Sequence, residues 1–309
     1  MTEFGFIDQI KELFSTLPTH SFEGIGDDCA VLPLGDEALV FTSDMLVEDI
    51  HFLRSSTSAF DLGYKSLAVN LSDVAAMGVR PVATLLSLSV PKELMGDYLE
   101  EFMRGYHALS AKYNVALVGG DTTASKSSLS INVTAIGRGP MSHIKRRSSA
   151  RVGDVIMVND RVGDSAAGLQ DIFQGRCDSP LATTHKRPEP QVEEGAWLGA
   201  QAAVHAMMDI SDGIASDLRH ILKLSNIGAQ VHLDAIPTNV DLHSALCGGE
   251  DYKLLLTVAP DKVGELAKAY LTQFGTHLHP IGTITPTTTL EWLKEGQSQE
   301  LDFMGFRHY

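Results

Sequence analysis

The chain has 309 residues, 44% of them hydrophobic and 20% charged, which is enough for two domains with separate cores. Its net charge of −15 argues against generic binding to nucleic acid or anionic membranes, although a polyphosphate bridged by metal ions stays possible. No run reaches the roughly 18 apolar residues that span a bilayer, so no membrane contact is expected. The three cysteines, Cys29, Cys177 and Cys247, are widely spaced and read as small buried hydrophobes.

The N-terminal MTEFGFIDQIKELF has an amphipathic helix pattern with acids, unlike a signal peptide, and predicts a cytoplasmic protein. GIGDDCAVLPL (24–34) is a glycine turn leading Asp27 and Asp28 into a short strand. Neighbouring residues entering a strand face opposite ways, so only one joins a given cluster, and Asp28 is chosen. ALVFTSD (38–44) reads as a buried strand ending in Thr42, Ser43 and Asp44, hard oxygen donors suited to Mg²⁺ or simply a cap. His51 and Phe52 follow.

DLGYKSLAVNLSDVAAMGVRP (61–81) has helical apolar spacing, with Asp61 placed to cap its start and Gly78 and Pro81 to end it. Asn70 and Asp73 share a face. Asp73 falls in the last turn, at the negative end of the helix dipole, where an anion calls for a compensating positive charge. Asn70 is assigned a structural part only. A strand at 83–91 and a helix at 93–113 come next. NVALVGGDTTAS (114–125) then reads as a buried strand running into a Gly119-Gly120-Asp121 turn. Two glycines permit close approach of backbone to phosphate, or make a plain tight turn. No Walker A loop exists in the chain.

LSINVTAI (129–136) alternates as a half-buried strand. The connection 137–154 carries five basic residues, Arg138, Lys145, Arg146, Arg147 and Arg151, in an otherwise acidic chain. Such residues can meet phosphate oxygens, and the domain boundary is placed there. Beyond it come a strand at 154–160, a small-residue helix SAAGLQDIF and a helix at 191–206. AMMDISDGIASDLRHILKL (206–224) offers Asp209, Ser211 and Asp212 ahead of a further helix, more oxygen donors than capping requires. CGGEDYKLLLTV (247–258) repeats the glycine-and-acid theme with Glu250 and Asp251. A helix near 260–274 and strands near 277–284 precede the tail GFRHY.

Each acidic turn alone can be structural. Together, GDD, TSD, LSD, GGD, DISD and GGED all put acids at element ends among small residues. Carboxylates converging on one cavity repel one another strongly, so divalent cations are required, and cations between acids and phosphates describe phosphoryl transfer.

Across essentially the whole chain, GIGDDCAVL, TSDMLVEDIHF, YKSLAVNLSDVAAMG, VGGDTT, RRSSARVGD, GDSAAGL, DISDG and GGEDY resemble the thiamine-monophosphate kinase family. That family belongs to the ATP-binding superfamily of aminoimidazole ribonucleotide synthetase. The resemblance implies a two-domain α/β (α+β) fold of the aminoimidazole ribonucleotide synthetase type. An N-terminal domain, residues 1–138, binds Mg²⁺ and ATP, and its sheet contributes to a homodimer interface. A C-terminal α/β domain, residues 139–309, closes over nucleotide and substrate. The implied reaction is direct in-line transfer of the ATP γ-phosphate to thiamine monophosphate, the last step of thiamine diphosphate biosynthesis. By the same resemblance several Mg²⁺ ions would be held by Asp28, Thr42, Ser43, Asp44, Asp73, Asp121, Asp209 and Asp212. Of these, Asp73, Asp121 and Asp212 would be catalytic. Gly120, Asp121, Arg147 and Ser211 would touch ATP, and His51, Glu250 and Phe306 would bind thiamine monophosphate. The sequence departs from the family at Glu48-Asp49 before the His-Phe pair, at Lys253, expected to face solvent, and in the tail around Phe306. The absence of Cys from the first 28 residues argues against the selenide-activating relatives. A metal-dependent phosphohydrolase and a non-catalytic nucleotide sensor are the alternatives from other classes.

Overall fold

The structure is a computed structural model that describes residues 3–299. After helix α1 (Glu3–Phe14) the first sheet has five strands: β1 (Ala30–Leu34), β2 (Glu37–Val47), β3 (Arg80–Pro91), β4 (Ala116–Ser125) and β5 (Ser130–Pro140). Their spatial order is β1-β2-β5-β3-β4, antiparallel except for the parallel β3–β4 edge pair. Helices α2 (Ala59–Ala76) and α3 (Asp97–Tyr113) pack on one face of this sheet. Leu62, Leu67 and Leu71 from α2 meet Phe102 and Tyr106 from α3 and Ile131 and Val133 from β5.

β5 runs through Pro140, and two short 3₁₀ turns, Met141–His143 and Arg147–Ser149, lead on to β6 (Val155–Val158). The second half contains α4 (Asp164–Phe173), α5 (Pro180–Lys186), α6 (Val192–Gly199), β7 (Val204–Asp209), α7 (Ile214–Ser225), β8 (Gly228–His232), α8 (Leu242–Cys247), β9 (Leu254–Val258), α9 (Val263–Phe274), β10 (His279–Thr285), β11 (Leu290–Lys294) and β12 (Gln297–Gln299). Its seven-stranded sheet has the order β12-β11-β8-β10-β6-β9-β7. Alternate residues feed two cores, as a period of two requires. Ile156, Val158 and Met208 face α7, while Met157 and Met207 face α9.

Helix α2 joins the two halves. Its end residue Ala76 belongs to the α9-side core, and α6 lies against its last turn. A Cβ on Gly195 of α6 would stand 2.3 Å from the Ala75 carbonyl oxygen, so glycine is what permits that approach.

Three sequence expectations are corrected. The α2 cap is Ser58, whose hydroxyl accepts from the Asp61 amide, and Asp61 lies in the first turn, ion-paired with Arg187. A serine hydroxyl three residues before a free amide serves the orphan donor directly. The strand at 114–125 is exposed along almost its whole length, and Gly119, Gly120 and Asp121 continue it instead of turning. A Cβ on Gly120 would fall 1.7 Å from the Leu86 carbonyl oxygen, so the glycine serves close β3–β4 pairing. The helix expected at 191–206 stops at Gly199, because VHAMMD is fully occupied as β7 against β9. The short elements α5, α8, β8, β11 and β12 fall outside the sequence expectations.

Candidate active site

Four chain segments meet at the end of α2. The strand β2 presents Thr42 and Asp44 on the face that covers the helix. Thr42 donates its hydroxyl to Asp73 Oδ2, and the Asp44 carboxyl stands close enough to Asp73 to repel it. Asn70, one turn before Asp73, accepts from the Asp44 amide at 3.1 Å and donates to the Ser66 carbonyl at 3.2 Å. Its structural part is therefore to lock α2 to β2 beside Asp44. Asp209 ends β7 and accepts from the Ser72 hydroxyl. Asp28 comes from the loop before β1. One carboxylate oxygen from each of Asp28, Asp73 and Asp209 lies within 4.8 Å of the others.

Cationic compensation within the protein is small. Arg147 pairs with Asp28, and its amide donates to Asp27 Oδ1 at 2.7 Å. No basic residue lies in the last turn of α2. Burial, followed by repulsion from Asp44, Asp209 and Asp28, pushes the Asp73 carboxyl well above its ordinary range. Burial and the charge on Asp28 push Asp209 up to about 8. Burial pushes Asp44 up to about 6. A cluster that prefers protons to bare charge is one that a divalent cation would satisfy. The Asp28 side chain is 1% exposed, yet its Oδ2 has no hydrogen-bond partner. An orphaned carboxylate oxygen among hard oxygen donors fits Mg²⁺.

The cluster opens into a cavity of about 710 Å³ between the two halves. Asp44, Asp73, Asp209, Ser211 and Asp212 line one end. His51, Phe52, Leu169, Ile172 and Glu250 line the rest. The His51 ring is fixed by the Val47 amide, which donates to Nδ1 at 3.0 Å. The Asp212 amide donates to the buried Asp217 carboxylate at 3.2 Å, which shapes the DISD turn. Glu250 has a left-handed φ of 64° and donates its amide to the Ser211 carbonyl at 2.8 Å, so the DISD and GGED turns are built against each other.

Of the residues singled out by sequence, Asp28, Thr42, Asp44, Asp73, Arg147 and Asp209 come together, and His51, Ser211, Asp212 and Glu250 line the adjoining cavity. Ser43 does not join them. Lying between Thr42 and Asp44 on a strand, it faces the other side, where its hydroxyl meets Asn132 and Thr134. Gly120 and Asp121 sit on the exposed edge strand β4, separated from β2 by β5 and β3. Phe306 lies outside the described residues.

Two smaller expectations are also corrected. Lys253 is mostly buried and pairs with Asp160 at 3.2 Å. Cys247 lines the cavity, and both it and Cys177 are half-buried.

Lys65 and His185, which contact Glu250, were not singled out by sequence. A signal existed for Lys65, a lone cation eight residues from Asp73 on the same apolar helix. None existed for His185, which lies on a short helix far along the chain.

Comparison with known proteins follows the same division of the chain. Residues 26–139 match the family model of the AIR synthase related protein N-terminal domain, and residues 151–292 match the C-terminal domain of the same family. The thiamine-monophosphate kinase of Haemophilus influenzae is 37% identical, covering 99% of this chain and 98% of that protein. Among solved structures, AaThiL complexed with AMPPCP and TMP superposes with a TM-score of 0.86 at 29% identity, covering 100% of this chain and 97% of the other. The thiamine-monophosphate kinase of Stenotrophomonas maltophilia K279a gives a TM-score of 0.78 at 36% identity, covering 96% and 98%.

Proposed function

This chain belongs to the thiamine-monophosphate kinase family of the AIR synthase related proteins, and from that we infer that it transfers the γ-phosphoryl group of ATP to thiamine monophosphate, giving thiamine diphosphate and ADP. The observation that carries the reading is the cluster of Asp28, Asp73 and Asp209 opening directly into a cavity with room beyond it for an acceptor. A hydrolase acting on water alone has no use for that extension.

In this reading Asp28, Thr42, Asp44, Asp73, Asp209 and Asp212 hold several Mg²⁺ ions. When bound, Mg²⁺ supplies the positive charge that neutralises the phosphate oxygens. Arg147 and Ser211 hold the nucleotide, the former already directed at the acid cluster by Asp28. His51 and Glu250 hold thiamine monophosphate and turn its phosphate toward the cluster. The acceptor phosphate is itself the nucleophile, so the chain needs no strong general base and forms no phospho-enzyme. Its work is to position two substrates in line and keep water out.

Ser43 and Asp121 face the uncovered side of the first sheet, and Gly120, in register with Leu86 and Val133, faces the helix-covered side; we keep the Mg²⁺ and ATP roles that the resemblance implies for these three and place β4 at the junction with a second copy in a homodimer. We keep the domain division at 138/139, near the end of β5, and place the enzyme in the cytoplasm. Among the described residues no helix is long and apolar enough to cross a membrane.

The test is a coupled ADP-release assay with and without thiamine monophosphate, with the product identified by mass. ADP release should require thiamine monophosphate and yield thiamine diphosphate. Equal ADP release without the acceptor would overturn the reading in favour of a phosphohydrolase.

A further inference from the structure

Lys65 stands on α2 eight residues before Asp73, and it is only 1% exposed although it lines the cavity. An ammonium so far out of water has to be matched by an anion held in good geometry. Its Nζ donates to Glu250 Oε2 at 2.9 Å and lies 3.5 Å from His185 Nε2. His185 Nδ1 is 3.3 Å from the same Oε2 and 3.0 Å from the Ser165 hydroxyl. The contacts that Lys65 and His185 make with Glu250 therefore both end on one carboxylate oxygen, Oε2, and neither reaches Oε1. The carboxylate lines the cavity with 26% of its side chain exposed. Lys65 belongs to the first half of the chain and Glu250 to the second, so the pair also ties the GGED turn to the helix that carries Asp73.

We propose that Lys65 is a positioning residue for the acceptor: it holds the Glu250 carboxylate turned into the cavity, where that carboxylate receives the cationic thiazolium portion of the substrate. Lys65 acts through Glu250 and does not touch the acceptor phosphate. This rests on the kinase reading above. Burial alone would favour a neutral Glu250, and the neighbouring Lys65 and His185 reverse this, holding the group below its ordinary range.

Lys65→Met tests the role by steady-state kinetics and by calorimetric binding of thiamine monophosphate without ATP. The KM and Kd for thiamine monophosphate should rise roughly tenfold, the size expected for one lost charge-assisted hydrogen bond. The KM for ATP should stay nearly constant. The double variant Lys65→Met/Glu250→Gln should bind thiamine monophosphate no more weakly than Glu250→Gln alone, because a residue acting through Glu250 has nothing left to act on. An additive loss in the double variant, or an equal rise in the KM for ATP, would overturn the proposal. If Lys65→Met does not fold, as judged by circular dichroism, the double variant still decides, since it leaves no unpaired carboxylate buried. Wild-type enzyme that makes no thiamine diphosphate would remove the kinase reading and this proposal with it. An active wild type with Lys65→Met unchanged would remove the proposal alone.

Discussion

Asp73 sits where the helix dipole disfavours a carboxylate, among three other acids and with no basic residue in its own turn. Asp73→Asn removes the charge while keeping the oxygen that accepts from Thr42. Turnover should fall by at least about a hundredfold, comparable to loss of one key electrostatic contact at a transition state. The same variant should melt no lower than wild type in the absence of divalent cations, because its loss relieves repulsion. Steady-state assay at saturating Mg²⁺ together with a thermal melt checks both halves. The pH dependence follows from the raised carboxyls. A carboxyl whose folded value is raised binds its proton more tightly in the native state, so its contribution is full below about 4 and is lost as pH rises through the folded value. For Asp44 that value is about 6 and for Asp209 about 8. The melting temperature of metal-free protein should therefore fall between about pH 6.5 and 8, and Mg²⁺ should remove most of that slope. Asp251, raised to about 7 chiefly by burial, adds a slope of the same sign that Mg²⁺ leaves in place. His185 and His220, held down to about 4 by burial and nearby cations, are neutral through this window and do not disturb it.

Helix α2 is the element that the site depends on, since it carries Lys65 and, roughly one to two turns further on, Asn70, Ser72 and Asp73. Its existence and its end at Gly78 were legible from apolar spacing and terminator residues. Its start was misread because Ser58 and Asp61 are both capable caps, and only the path of the preceding chain chooses between them. Ser58→Ala should cost about 1 kcal/mol by chemical denaturation, the usual worth of an N-cap. The contact between α6 and the last turn of α2 is tighter still. Gly195→Ala sets a new methyl group against a backbone carbonyl that cannot swing aside. It should cost about 3 kcal/mol, the upper end for overpacking, and should lower turnover as well, because it displaces Asp73 relative to Asp209.

At the scale of the whole molecule, the first sheet is covered by helices on one side only. Its edge strand β4 exposes Leu117 and Val118, and Leu85 of β3 and Met45 of β2 are exposed as well. A long, apolar, unpaired edge is a template for another chain, which agrees with the homodimer assigned above. Val118→Lys puts a desolvated charge on that edge and should convert a dimer into monomer, read by sedimentation velocity. A wild-type protein that sediments as a monomer at micromolar concentration would remove the dimer.

The sequence by itself determined the α/β class, the position of the main helices, and the oxygen-donor turns, because apolar period and glycine-acid clusters are local properties of the chain. It also singled out Asp28 over Asp27, since strand alternation is local too. Only the tertiary structure decided which donors meet. Ser43 and Asp121 have the same chemistry as Thr42 and Asp73, but β2 turns Ser43 to the far face and the strand order leaves Asp121 on an outer edge. Lys65 and His185 acquire their place beside Glu250 from contacts 185 and 65 residues apart in the chain, and no local pattern encodes such a distance.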